Sequence, residues 1–191
     1  MCKVNYCQFE TFLTKNKTKG EINMRNKKVL FIVQAAMIAA LYVVLTYITN
    51  LLGLASGSIQ IRFSEALCIL PFFTPAAIPG LWLGCLLANT LTGAIVYDIV
   101  FGSIATLLGA VGTYLLRRHK VLCTLPPVIA NMVIVPFVLR YGYGFKTVFH
   151  GTDWSIPFNA LTVGIGEVIS VCILGSLLMK VLGKYRNVIF R

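Results

Sequence analysis

Only 6 of the 191 residues are acidic, and Glu65, Asp98 and Glu167 stand in stretches that are otherwise apolar. A carboxylate in such a place can accept paired hydrogen bonds from the N–H edge of a ligand or balance a cation. Arg62 precedes Glu65 by three residues, on one helical face, and could neutralise it without excluding a ligand at the same place. Glu167 has no basic neighbour on its own segment, Thr162-Val163-Gly164-Ile165-Gly166-Glu167-Val168-Ile169-Ser170, whose glycines would let another backbone or a flat ligand come close. Asp98 falls near the end of an apolar run, where water can serve it. Asn89 follows Trp82 by seven residues, on one face of a helix with Cys85 and Gly93 nearby. An aromatic plate beside an amide could hold a planar heterocycle by stacking and hydrogen bonding. Trp82 alone reads equally well as an interfacial anchor. Asn131 and Asn159 are weaker versions of the amide signal, and either could simply bond between helices.

Other chemistries lack their residues. No Gly-x-x-x-x-Gly-Lys-Ser/Thr loop is present for ATP. The histidines, His119 and His150, fall in loops, and neither a His-Glu-x-x-His nor a Gly-x-Ser-x-Gly element occurs, so an enzyme is not expected. The 6 cysteines, Cys2, Cys7, Cys68, Cys85, Cys123 and Cys172, form no Cys-x-x-Cys pair. They read as small buried apolar residues, with no metal and no cofactor implied.

The solvent that positions these residues is lipid. Hydrophobic residues make up 58% of the chain and charged residues 12%, with a mean hydropathy of +0.83, which leaves too few polar side chains to wet a soluble globule. The net charge of +11 does not point to nucleic acid, because the basic residues cluster beside apolar spans instead of forming a stripe with interleaved aromatics. In a bilayer an ionisable side chain within a span costs on the order of 2.5 to 3.5 kcal/mol, so each is expected to face a cavity or a partner.

Residues 1–24 read as a disordered basic tail without an apolar core for a signal peptide. Met24-Arg25-Asn26-Lys27-Lys28 resembles the basic start of a first span, so the tail is expected upstream of the natural start. Residues 25–191 are expected to form a single membrane domain. Val29 to Leu52 carries no charge and is long enough to cross a core of about 30 Å. Ala66 to Tyr97 is also uncharged, yet one helix of that length would measure roughly 48 Å and overshoot the membrane. Pro71, Pro75 and Pro79 divide it. The spacing predicts a short second span over Ile59 to Phe73, entering a protein-lined cavity, and a third over Ala77 to Tyr97. A fourth follows from Asp98 to Leu116, a fifth from Leu122 to Leu139 and a sixth from Phe158 to Leu182, with Arg140 to Pro157 as a structured external loop or lid.

The fold class expected is therefore an all-α integral membrane protein, a six-helix bundle in the cell membrane with both termini cytoplasmic. Basic residues at the start, at Arg117-Arg118-His119-Lys120 and at the C-terminal end all fall on one side in this arrangement. Fusing the second and third spans would put the C-terminal lysines outside. In the first span, Ala35 with Ala39 and Ala36 with Ala40 form a stripe of small residues that allows close helix packing, inside the bundle or against a separate membrane protein.

The runs Arg62-Phe63-Ser64-Glu65-Ala66-Leu67-Cys68, Leu70-Pro71-Phe72-Phe73-Thr74-Pro75 continuing through Leu81, Gly84-Cys85-Leu86-Leu87-Ala88-Asn89, and Asp98-Ile99-Val100-Phe101-Gly102 continuing through Leu107 resemble the queuosine-precursor transporter (QueT) family. Its members are substrate-binding S components of energy-coupling factor (ECF) transporters, and the likeness covers about residues 26 to 185. The resemblance implies a six-helix bundle whose alanine stripe docks on a transmembrane coupling subunit that carries two cytoplasmic ATPases. It implies a 7-deazaguanine substrate such as 7-aminomethyl-7-deazaguanine, bound on the external side and carried inward as the S component topples. Glu65 and Glu167 would divide the base edge and the cationic aminomethyl group, Asn89 and Asp98 would take remaining polar groups, and Trp82 or an aromatic of the Tyr141 to Trp154 lid would stack. Whether Arg62 joins that pocket stays open. The competing reading is a stand-alone channel or ion-coupled carrier in which Glu65, Asp98 and Glu167 line a proton or cation path.

Overall fold

The computed structural model describes residues 27–54, 60–149 and 152–189; the tail at 1–24 and the expected start of the second span at Ile59 lie outside them. The uncharged first run forms helix α1, Lys27–Leu51. From Gln34 onward the chain is one compact unit.

The second segment is a 3-10 helix, Phe63–Phe72. At about 2.0 Å per residue this winding stretches farther than an α-helix of the same length, and every residue from Ser64 to Pro71 is buried. Helix α2 covers Ala77–Leu91, ending before the Tyr97 expected from charge alone. Gly93 takes a φ of 73°, and the amides of Thr92 and Ala94 donate back to the carbonyls of Ala88 and Asn89, a glycine-terminated helix end.

Helix α3 spans Asp98–Leu115, α4 Leu122–Gly142 and α5 Ser155–Lys184. The last two are longer than the spans expected over Leu122 to Leu139 and Phe158 to Leu182. Both contain wide turns, π-helical stretches at Val138–Gly142 at the end of α4 and at Val168–Gly175 within α5. A third such turn, Asp98–Gly102, opens α3. The described residues are helical as expected, and the expected structured loop between α4 and α5 carries one further element. A small antiparallel hairpin, β1 (Val148–Phe149) with β2 (Thr152–Asp153), lies between α4 and α5.

Among the described residues four helices, α1, α3, α4 and α5, are long and apolar enough to cross a membrane, while the 3-10 helix and α2 are apolar but shorter. The core gathers Ile38 and Tyr42 of α1, Leu67, Cys68 and Leu70 of the 3-10 helix, and Leu81, Cys85 and Ala88 of α2. Cys68, Cys85 and Cys123 are buried and unpaired.

Part of the alanine stripe serves this packing. A Cβ on Gly80 would sit 2.7 Å from the Ala35 carbonyl oxygen, and one on Gly84 2.8 Å from the Tyr42 Cβ. Ala35 and Ala39 are accordingly buried against α2, so they are closed to a separate partner, while Ala36 and Ala40 remain exposed. Gly84→Val is expected to force α1 from α2 at a cost of about 1 to 3 kcal/mol, read as a lower thermal midpoint in detergent; Ala36→Val should leave that midpoint unchanged.

Candidate binding cavity

Just before the 3-10 helix, residues 60–62 are stitched into the bundle. Arg62 is extended (φ −116°, ψ 110°), its amide donates to Ser170 Oγ at 3.2 Å, and the Phe63 amide donates to Thr49 Oγ1 at 3.3 Å. Gly166 of α5 leaves room for this stretch, because a Cβ there would lie 2.0 Å from the Gln60 carbonyl oxygen. Two helices thus fix the backbone that presents Arg62.

Above Arg62 opens a cavity of about 570 Å³, within the range of small-molecule sites. Helix α1 contributes Thr46, Thr49 and Asn50, α2 ends on it with Asn89, and α3 begins on it with Asp98. Leu139 comes from the π-turn of α4, and Phe158, Asn159 and Thr162 from the first turns of α5. Tyr143, Phe145 and Thr147 come from the connecting loop. Its lining therefore mixes aromatic side chains with polar ones.

The charges are arranged differently from the expectation. Arg62 pairs with Asp98, Nη2 to Oδ2 at 3.9 Å, and not with Glu65, since the helical-face argument fails where Arg62 is extended. Tyr143 donates its hydroxyl to the same Asp98 oxygen at 3.2 Å, drawing the loop onto α3. Asn89 is buried and donates to the Asp98 carbonyl at 3.3 Å. Gly102 keeps both side chains in place, because a Cβ there would stand 3.1 Å from Asp98 Oδ1 and 3.2 Å from Asn89 Nδ2. Asn159, only 8% exposed, has no acceptor for its amide Nδ2 among the described residues. A buried donor left so is costly unless a guest accepts from it.

Glu65 and Glu167 do not line this cavity. They lie beneath it, on a void of about 10 Å³, with Gln60, Arg62, Val135 and Val163 forming a floor shared by both spaces. Glu65 accepts from the Tyr42 hydroxyl at 2.5 Å and from the Cys68 thiol at 3.1 Å. Trp82 is also outside the cavity lining and 36% exposed; the seven residues to Asn89 amount to about 10 Å along the helix, and the cavity lies at the Asn89 end.

Tyr42, Thr46, Thr49 and Asn50 drew no attention in the sequence, although their spacing of four, three and one places polar groups on one face of an apolar helix. The aromatic contribution of Phe158 had no comparable signal.

The loop over the cavity is clasped at its base. Arg140 at the end of α4 donates to Asp153 Oδ2 from Nε at 2.9 Å, and Asp153 Oδ1 accepts from both the hydroxyl and the amide of Ser155. The Ser155 hydroxyl, then its amide, then Arg140 hold the Asp153 carboxyl down to about 2. An unfolded aspartate titrates near 3.9, so the clasp is fully formed above that pH and is lost as the pH falls through about 2. In a Trp82→Phe background, Trp154 fluorescence should report this transition with a midpoint near 2, and Asp153→Asn should remove it.

The family model described as QueT transporter matches residues 32–184. The chain is 37% identical over 98 residues to the queuosine precursor transporter QueT of Lactococcus lactis subsp. cremoris (strain MG1363). That match spans 51% of this chain and 57% of the relative. No solved structure matches the chain. With apolar helices long enough for several crossings and a family match over most of its length, the chain is a multi-pass membrane protein and belongs to the QueT transporter family.

Proposed function

We propose that this chain binds a queuosine precursor of the 7-deazapurine class, 7-aminomethyl-7-deazaguanine or a close relative, as the S component of an ECF importer rather than as an enzyme. The observation that carries this reading is the cavity. It brings the aromatic side chains of Tyr143, Phe145 and Phe158 into one lining with the polar groups of Asn89, Asn159 and Arg62, the combination a flat heterocycle with a polar edge requires. The ring would lie against these aromatic side chains, where each stacking contact adds about 0.5 to 1.5 kcal/mol. Asn159 Nδ2 would donate to the ring carbonyl. Asn89 and Asp98 would meet the remaining polar atoms, and the loop carrying Tyr143 would close over the guest to exclude water.

In this reading the 3-10 helix and α2 complete six spans, with both termini cytoplasmic and the cavity external, and residues 25–191 act as one membrane domain behind the tail at 1–24. The sequence has no phosphate loop of its own, so energy would come from two cytoplasmic ATPases acting through a transmembrane coupling subunit. Ala36 and Ala40, exposed on α1, are its proposed docking points.

Asn159→Leu is expected to weaken 7-deazaguanine binding by about tenfold or more, because it replaces the unpaired donor with a group of similar size that cannot donate. Calorimetric titration of purified protein checks this, and equal affinity for the variant would contradict the site. Co-purification with ATPase subunits, and uptake that needs ATP but survives collapse of the proton gradient, would support the importer. Uptake by the chain alone, driven by an ion gradient, would replace it with the carrier.

A further inference from the structure

The void beneath the cavity floor belongs to no step described so far. It is lined by Glu65, Glu167, Asn131, Thr106 and the Arg62 and Gln60 of the floor. Glu167 is 6% exposed, and its Oε2 has no hydrogen-bond partner among the described residues. Glu65 is 1% exposed and receives two donors, yet a carboxylate offers about four acceptor positions. Both residues therefore have acceptor capacity that the protein does not fill. At about 10 Å³ the space takes one water-sized group. Charge points the same way. Three carboxyl groups, Glu65, Asp98 and Glu167, are buried around the cavity and the void, and among the described lining residues only Arg62 is cationic, so a positively charged guest would favour the ionised carboxylates and move the site towards balance.

The geometry points to this void as a subsite for a primary ammonium group at the end of a short arm on the guest, with Glu167 and Glu65 as its acceptors and the ring remaining in the cavity above. An ammonium is water-sized, carries three donors and has no acceptor, which complements two carboxylates and the Asn131 side-chain oxygen. Entry requires the floor at Arg62 and Gln60 to part, and Arg62 is free to lean further towards Asp98, since their separation of 3.9 Å is longer than a close ion pair. The assignment rests on the cavity being the deazapurine site, and it makes Glu167 a specificity residue and not a ring-binding one.

The test is calorimetric titration of the full chain in nanodiscs with three probes: 7-aminomethyl-7-deazaguanine, neutral 7-cyano-7-deazaguanine and armless 7-deazaguanine. The wild type is expected to bind the amine at least about tenfold tighter than the other two. Glu167→Gln should collapse that ratio to near one while leaving the cyano compound's affinity unchanged, which also shows that the variant is folded. Should Glu167→Gln fail to bind the cyano compound, Asn131→Ala supplies the same comparison, with a reduced ratio expected. Equal wild-type affinities for all three probes, or a ratio that persists in the variants, would overturn the subsite while the cavity assignment stands. If no probe binds the wild type, both readings fall. A repeat with sodium, potassium or ammonium chloride at constant ionic strength separates an arm from a free ion. Loss of amine affinity alone in one of these salts would assign the void to that inorganic cation instead.

Discussion

Gly166→Ala will remove ligand binding, while Gly164→Ala, one residue pair earlier on the same helix, will leave it within about threefold. The difference lies in what each new methyl meets. At Gly166 it is the Gln60 carbonyl oxygen, 2.0 Å away; at Gly164 it is the Met132 side chain, with Sδ at 2.8 Å. Met132 can change rotamer, since an unbranched thioether adapts to irregular space. A backbone carbonyl cannot, and separating it to an ordinary contact moves the stretch that carries Arg62 by more than an ångström. Overpacking of this kind costs about 1 to 3 kcal/mol, occasionally more, and here the displaced segment is the cavity floor. Thermal melts in detergent beside binding titrations check both variants; retained binding in Gly166→Ala would mean that the floor does not position the site.

Asp98→Ala is the second large effect. It strips Arg62 of its ion-pair partner and Tyr143 of its acceptor together. Breaking a buried pair costs about 3 to 5 kcal/mol when one charge is left uncompensated. The 3.9 Å separation and the half-open position of Arg62 put this case near the lower end, about 3 kcal/mol. Binding should fall further than stability, because the loop also loses its tie to α3. Asp98→Asn, which keeps an acceptor for Tyr143, should restore the loop but not the charge. Proteolysis of the 143–154 loop separates the two effects. Rapid cutting in Asp98→Ala and slow cutting in Asp98→Asn is the expected pattern, and equal rates would contradict it.

These variants also mark where the sequence was readable. Uncharged runs and prolines were enough to place α1, to divide Ala66 to Tyr97 and to begin α3 at Asp98, because lipid penalises charge strongly and proline removes a donor. They misplaced the end of α2, since a turn at Thr92-Gly93 carries no charge; the glycine itself was the available signal. Arg62 was paired with Glu65 on the assumption of helix at a residue that is extended. The actual partners, Tyr42 for Glu65 and Asp98 for Arg62, are 23 and 36 positions away, set by how helices pack and not by local pattern. Trp82 and Asn89 do share a helix face, but not a depth, and depth follows from where the cavity opens.

The most direct test of the central claim is a structure of the chain with 7-deazaguanine bound. The account predicts the ring in the space bounded by Phe158, Tyr143, Asn89 and Asn159, with an acceptor of the ring facing Asn159 Nδ2. A ring found in the apolar groove of Tyr97, Phe101, Phe137 and Tyr141 on the outer side of α3 and α4, or no ring at all at saturating concentration, would contradict it.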